Sequence, residues 1–421
     1  MNFTYRKDVL DSGIRVVSES SRSAGSIALG LWVGVGASCE PPHLSGVSHF
    51  IEHILFKGTK RRSAFQIAHA LESVGGSIDA FVGRQTTAFV SRCLPEHIRR
   101  AVDVIGDMVC RPAMRSGAIE LEKQVIIEEI RNFEDTPEEI VHELLGKSVW
   151  ANRTMGNSIL GSRESVSGLT RKSILPFFNR FYISPNTIVA ASGRVNHREL
   201  VELVERLVGL SSEGVSGTTP AMNSSLPRIH HEERDVSQCY ICMGIEAPPY
   251  ADSRRYASVL LSLLIGGGMT SRLFQEVRDR QGLAYSVYCS CEFYRETGVF
   301  LIFLAVDPKK AKKAVGSVSR ELKRLKKDGL RRGELASAKQ QLKGSLVLGL
   351  ESTSARMSRL ARQEFYVNDY SPLEASIAAA TAVRSRQVMA EAERIFDSSR
   401  FSLVVVGPKW TDFPSERDLV F

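Results

Sequence analysis

The helical spacing i, i+3, i+4, i+7, i+8 is filled by apolar residues in SGVSHFIEHILFKGT (45–59): Val47, Phe50, Ile51, Ile54 and Leu55. That stripe predicts a helix with one face toward a core. Around it the chain breaks into segments whose order repeats. The first half reads as a strand (SIALGLWVGVGAS), the HFIEH helix, a helix in SAFQIAHALESVG and paired strands in GSIDAFVGRQTTAFVSRCL. Helices follow in PEHIRRAVDVIGDMV and AIELEKQVIIEEIRNF. The second half reads as a strand (QCYICMGIEAP), helices in DSRRYASVLLSLLIG and TSRLFQEVRDRQG, and paired strands across AYSVYCSCEFYRETGVFLIFLAV. Helices again follow, in PKKAKKAVGSVSRELKRLKK and RRGELASAKQQLKGSLV. Each half closes on an apolar strand, NTIVAASG and FSLVVVG, and a hairpin around Asp11-Ser12-Gly13 opens the chain.

Strands grouped with helices in this order predict an α+β architecture used twice. Each of two homologous domains is expected to be a mostly antiparallel sheet with helices packed on one face. The Ser/Gly/Thr/Pro-rich stretch 211–227 is the clear connector between a first domain, 1–210, and a second, 228–421. At 421 residues the chain is long for one core, and two domains of roughly 200 residues suit it better.

His49, Glu52 and His53 fall within about 100° of one another on the HFIEH helix, away from the apolar stripe. Two histidines four apart stack one turn apart and can grip one ion. A catalytic zinc needs three protein ligands and an open position, so a carboxylate or histidine must come from elsewhere. AIELEKQVIIEEIRNF offers Glu122 and Glu129, seven apart on one helix face, while Glu128 points to solvent. A carboxylate on a partly apolar face needs a partner, and a metal would serve. The repeat bears on this. Opposite HFIEH the second half has RRYASVLLSL, and opposite VIIEEI it has QLKGSL, so the ligand types are confined to one half.

Composition changes the picture little. With 43% hydrophobic and 24% charged residues the chain is an ordinary globular protein. The net charge of +8 is concentrated in 308–333, where lysines and arginines interleave with apolar residues. That pattern reads as a solvated helix face; without a zinc finger or an aromatic-studded basic stretch, no nucleic-acid partner is expected. Seven cysteines, an odd number in a long chain, argue against a disulfide framework and suit a reducing compartment. Cys239 and Cys242 point to opposite faces of their strand and read as buried small residues. His230-His231-Glu232-Glu233 diverge along an extended segment and read as surface; Gly266-Gly267-Gly268 lacks the phosphate-loop Lys-Ser/Thr and reads as a turn. The N-terminus has no apolar signal core and no run reaches membrane-helix length, so a cytoplasmic protein without a membrane partner is expected.

H-x-x-E-H is the reverse of the H-E-x-x-H zincin motif. Four stretches extend the likeness: GVSHFIEHILFKGT, LEKQVIIEEI with Glu129 seventy-six residues after His53, NRTMGNSILG, and MTSRLFQEVRDRQGLAYSV. Through them nearly the whole chain resembles the pitrilysin/insulinase family of zinc metallopeptidases, the inverzincins, and especially its mitochondrial-processing-peptidase-like bacterial members. The resemblance implies one zinc ion per chain, held by His49, His53 and Glu129, with Glu52 as general base and Glu122 orienting the site without holding the metal. It also implies that Arg278 and Tyr285, in VRDRQGLAYSV, bind substrate carbonyls near the metal. In the family that pair faces the zinc across a closed chamber of four such domains. This chain has two, so a dimer is expected, of identical or related chains.

The family binds its substrate as an added strand on a sheet edge. The matching edge here is SIDAFVGRQTT, with Asp79, Ala80 and Phe81 as the contacts; Asp79 stands where the family usually has asparagine. Glu139 and Glu143, on the expected helix TPEEIVHELL, match acidic positions that receive an arginine in the processing peptidase. The implied function is therefore hydrolysis of extended or unfolded peptides, favouring basic residues near the scissile bond. The alternative is a catalytically silent scaffold, like the core subunits of the mitochondrial ubiquinol–cytochrome c reductase. Loss of ligand residues would mark that reading, and His49, Glu52, His53 and Glu129 are all present.

Overall fold

The computed structural model describes residues 3–151, 153–214, 226–409 and 413–421. Its strands are β1 (Thr4–Val9), β2 (Arg15–Ser20), β3 (Ile27–Val33), β4 (Ser77–Val82), β5 (Thr87–Cys93), β6 (Thr187–Gly193), β7 (Ile229–Glu233), β8 (Cys239–Ala247), β9 (Ala284–Phe293), β10 (Gly298–Val306) and β11 (Ser402–Gly407). The helices α1 to α4 are Val47–Leu55, Ala64–Glu72, Ile98–Cys110 and Ser116–Glu134. Next come α5 (Pro137–Val149), α6 (Arg163–Ser167), α7 (Arg171–Phe181) and α8 (His197–Leu207). The later ones are α9 (Arg255–Gly266), α10 (Ala311–Asp328), α11 (Glu334–Gly349), α12 (Thr353–Val367), α13 (Leu373–Ala382) and α14 (Ser385–Ile395). Among the described residues no helix is long and apolar enough to cross a membrane.

Two sheets carry the fold. The first runs β1-β2-β6-β3-β5-β4 and the second β7-β11-β8-β10-β9. Without β1 the orders are identical, strand for strand, and the one parallel pair falls in the same place: β2 with β6, β7 with β11. All other pairs are antiparallel. The repeat read from the chain is thus a repeat of topology, in two units of mixed sheet and helix. Of the connector 211–227, residues 215–225 lie outside the described residues.

The two compact units are not contiguous halves. One comprises Met1–Asn132, Asn157–Met222 and Gly349–Tyr370; the other comprises Phe133–Gly156, Asn223–Leu348 and Ser371–Phe421. Each half of the chain therefore lends one helix to the other unit: α5 lies in the second and α12 in the first. The reason is in the strands. β3, β6, β10 and β11 are buried at every position, so both faces of each sheet must be covered. Most helices pack on one face, as expected, and build the main cores around Phe50, Ile105 and Phe178 in the first unit and Leu261, Val318 and Phe396 in the second. On the other face of the first sheet, Met357, Leu360 and Ala361 of α12 cover Trp32, Ala88 and Ala190. In the second unit Ile140, Val141 and Leu145 of α5 cover Cys242, Phe303 and Val404. Cys239 belongs to the opposite core from Cys242, as alternation along β8 requires.

At the outer edge of the first sheet lies β4, which alternates exposed Ser77, Asp79 and Phe81 with half-buried Ile78, Ala80 and Val82. It runs beside α1.

Candidate metal centre

Helix α1 is held by burial along its length and by a charge at its start. Val47, Phe50, Ile51, Ile54 and Leu55 are all buried in the first core. Ahead of the helix, the buried Glu40 accepts hydrogen bonds from the backbone N–H groups of Gly46 (2.6 Å) and Ser48 (2.7 Å). These are amides that a helix start leaves without partners, and a carboxylate is favoured there by the helix dipole. Burial nevertheless pushes the Glu40 carboxyl up to about 7, against the pull of those two N–H groups. Asn157 fastens the same loop by donating to the carbonyls of Ala37 (3.0 Å) and Glu40 (3.3 Å). Gly46 and Gly161, both at positive φ, meet face to face. A methyl on Gly46 would stand 2.5 Å from the Leu160 carbonyl oxygen, and one on Gly161 2.4 Å from that of Ser45. Residues 157–161 of the NRTMGNSILG stretch therefore shape the entry to α1.

The other side of α1 carries the ligand-type residues. His49 and His53 lie one turn apart with ring centroids 4.5 Å apart. Glu129 of α4 faces both, its carboxylate oxygens 3.6 Å from His49 Nε2 and 3.5 Å from His53 Nε2. One ligand atom from each of the three residues lies within 4.8 Å of the other two. Zinc–ligand bonds of about 2.1 Å in a tetrahedron put ligand atoms about 3.4 Å apart, so the donor set fits zinc. The spacings are also too long for direct hydrogen bonds. Glu52 stands beside this group, its Oε2 3.9 Å from His49 Nε2.

On the side away from the cluster, His53 Nδ1 donates to the buried Glu122 carboxylate at 2.9 Å, with Nε2 turned toward Glu129. Lys57 Nζ holds the second Glu122 oxygen at 2.8 Å. Burial would raise the Glu122 carboxyl, but its bonds to His53 and Lys57 outweigh that and keep it below the usual carboxylate range. Burial tends to lower His53, yet Glu122, Glu52 and Glu129 together raise it. His49, which is more deeply buried, is drawn down to about 4 by burial and by the neighbouring His53. Burial, with the charges of Glu129, Asp79 and Glu122, pushes Glu52 up to about 7 despite His53. A divalent cation among these carboxylates would relieve their crowding.

Residues 15–163 match the family described as Insulinase (Peptidase family M16), and residues 168–342 match the Peptidase M16 inactive domain. The uncharacterized zinc protease YmxG of Bacillus subtilis is 32% identical, with 94% of this chain and 97% of that protein aligned. An uncharacterized zinc protease of Mycobacterium tuberculosis is 35% identical over 96% of this chain and 93% of its own. The chain belongs to the M16 insulinase family. A crystal structure of a protease from Helicobacter pylori shares the fold, with a TM-score of 0.89 and 21% identity over 96% of this chain and all of that one. The M16 halves divide as the ligand types do, since every member of the metal constellation lies in the half matching the insulinase domain.

The remaining residues expected from the M16 likeness are spread over both units. Asp79, Ala80 and Phe81 sit on the β4 edge, with Phe81 edge-on to Trp32 at 5.2 Å. Arg278 and Tyr285 belong to the second unit, where both are exposed. The Arg278 guanidinium lies 5.6 Å from the Tyr285 ring and 4.8 Å from that of Phe274. Glu139 and Glu143 are on α5, also in the second unit; Glu139 is exposed, and Glu143 accepts from Lys147 at 2.7 Å. Glu128 is solvent-facing and paired with Arg131. On β7, His230 Nε2 lies 3.5 Å from Glu232, and the described residues bring no third ligand to them. The basic stretch forms α10, whose Ala314, Val318, Leu322 and Leu325 are buried beneath a charged outer face.

Sequence reasoning missed Glu40, Asn157 and Lys57. Lys57 was findable, since it follows His53 by four in the sequence, just past the end of α1. Glu40 lies in a loop with no period and had no comparable signal. A second constellation imitates catalysis: Ser18 Oγ is 2.8 Å from His197 Nδ1, and His197 Nε2 is 2.8 Å from Asp8. Ser18 is fully buried within β2, so no carbonyl can reach it, and the trio fastens α8 to the sheet.

Proposed function

We propose that this M16 protein is a zinc endopeptidase that cuts extended or unfolded peptides. The observation that carries the reading is the convergence of His49, His53 and Glu129, with ligand atoms within 4.8 Å of one another and Glu52 beside them. One zinc per chain would be held by those three side chains. When bound, it would supply a Lewis acid and a water acidified toward neutrality. Glu52 then has the place of a proton carrier: its carboxylate takes the proton from the attacking water and passes it to the departing amine. Burial favours this by making the Glu52 carboxylate more basic than an exposed one. Glu122 fixes the His53 ring by holding its Nδ1–H, so that the imidazole keeps one orientation. The β4 edge would take the peptide as an additional strand, with Asp79, Ala80 and Phe81 alongside.

Arg278 and Tyr285, exposed and adjacent, suit carbonyl binding and oxyanion support. We propose that they serve a second copy of the chain, or a related one, in a dimer. Glu139, with Glu143 nearby, would add a preference for basic residues, and the enzyme would work in the cytoplasm. The silent-scaffold alternative would need a broken ligand set, and none of its members is missing.

The test is hydrolysis of a quenched arginine-containing peptide by the wild type and by Glu52→Gln, with zinc measured in both. The expected result is about one zinc per chain in each and a loss of several orders of magnitude in kcat/KM for the variant, beyond the roughly 10²–10⁴-fold of a proton-transfer step alone. Equal activity in the two proteins would remove Glu52 from the mechanism, and absence of stoichiometric zinc would end the metal reading.

A further inference from the structure

We infer that Asp79 keeps the free edge of β4 closed to a peptide strand until a basic side chain draws its carboxylate away. This deepens the peptidase reading and rests on it.

The ladder register shows which backbone groups are free. Gly83 N–H donates to the Thr86 carbonyl at 2.8 Å, so this is a hydrogen-bonded pair at the end of the β4–β5 hairpin. Antiparallel pairs alternate. Stepping back by two through the register Phe81↔Ala88, Asp79↔Val90 and Ser77↔Arg92, these three residues turn their N–H and C=O groups toward β5. Val82, Ala80 and Ile78 turn theirs outward, where the described residues add no further strand to the sheet. One of those outward donors is already taken. Asp79 Oδ1 accepts the Ala80 N–H at 2.8 Å.

An added strand needs that amide for its own carbonyl. Proteins commonly blunt a sheet edge with a charged side chain, and here the charge sits on the hydrogen-bonding group itself. Among the described residues no lysine or arginine pairs with Asp79, and its charge also bears on the Glu52 carboxylate. The carboxylate therefore lacks a cation. An arginine or lysine laid across from it in the incoming peptide would supply one and would swing the carboxylate off the amide. A neutral peptide must displace it without compensation. The selected ligand class is an extended peptide with a basic residue facing Asp79.

The experiment measures binding without turnover, using zinc-loaded protein carrying Glu52→Gln and fluorescein-labelled ten-residue peptides with a central arginine or alanine. Asp79→Ala removes both mask and charge. It should tighten binding of the alanine peptide by about 3–10-fold, the range of one net hydrogen bond. It should also shrink the arginine-over-alanine preference toward unity. Asp79→Asn can still accept the Ala80 N–H but has no charge, so it should leave the alanine peptide's Kd unchanged while reducing the preference. An alanine-peptide Kd that is the same in the Asp79 and Asp79→Ala proteins overturns the mask. If that occurs while the wild type cleaves in a Glu52-dependent way, the peptidase reading stands without it. If no peptide binds any of the three proteins, both fall together.

Discussion

A buried glutamate that receives a proton donor on each oxygen leaves little freedom to the groups it holds. Glu122 takes His53 Nδ1–H on one oxygen and Lys57 on the other. Glu122→Gln presents an NH₂ group where it must accept, so either the ring or the lysine loses its partner. Zinc affinity should fall by about 10–100-fold, read by competition with a chromophoric chelator; an unchanged affinity would remove Glu122 from the site's support. Glu40 acts earlier, at the start of α1. Glu40→Ala leaves the Gly46 and Ser48 amides buried without acceptors and should lower stability by about 1–3 kcal/mol, checked by urea denaturation. A loss below the error of that measurement would show that water replaces the carboxylate. The core of the candidate site was legible because helical spacing alone places His49, Glu52 and His53 together. Glu40 and Asn157 were not, because their partners are backbone groups of a loop whose path no periodicity records.

Helix α5 shows how far an element can be separated in sequence from the sheet it serves. Its Leu145 is buried against the second sheet, although it precedes the connector by more than sixty residues. Leu145→Ala should cost about 2–5 kcal/mol and destabilise the second unit, which hydrogen exchange resolved by segment would locate. The same helix carries His142, whose Nε2 bonds the Tyr288 hydroxyl at 2.8 Å and whose ring stacks on Phe303. Burial holds its imidazole below the ordinary histidine range, against weaker opposing pulls from Glu292 and Glu138. The fold thus favours the neutral ring. Its contribution is present above the unfolded value near ~6.5 and is lost as pH falls through the lower folded value. Urea midpoints should drop below about pH 6.5, and His142→Gln should flatten that slope; parallel profiles would place the sensitivity elsewhere. The need for α5 could be read from GVFLIFLAV, a strand apolar on both faces. Which helix would answer it could not, since an amphipathic helix does not name the sheet it will cover.

Across the whole molecule, the exchange of α5 and α12 makes each unit depend on both halves of the chain. Fragments 1–214 and 226–421, expressed apart, should each leave an apolar sheet face or helix uncovered and aggregate. Expressed together, they should co-purify as a complex that binds zinc. A soluble, folded, zinc-binding 1–214 fragment would contradict this. The topological repeat was visible in the order of elements, but the exchange was hidden because it is a property of neighbours in space. It also sets the timetable of biosynthesis. The proposed zinc ligands leave the ribosome early, yet the helix that closes the back of their sheet starts at Thr353, more than two hundred residues after Glu129. A nascent or prematurely ended chain would carry every ligand without the completed body that holds them. On the peptidase reading, competence would then come only once α12 is made, sparing the cell an unsupervised blade on the ribosome.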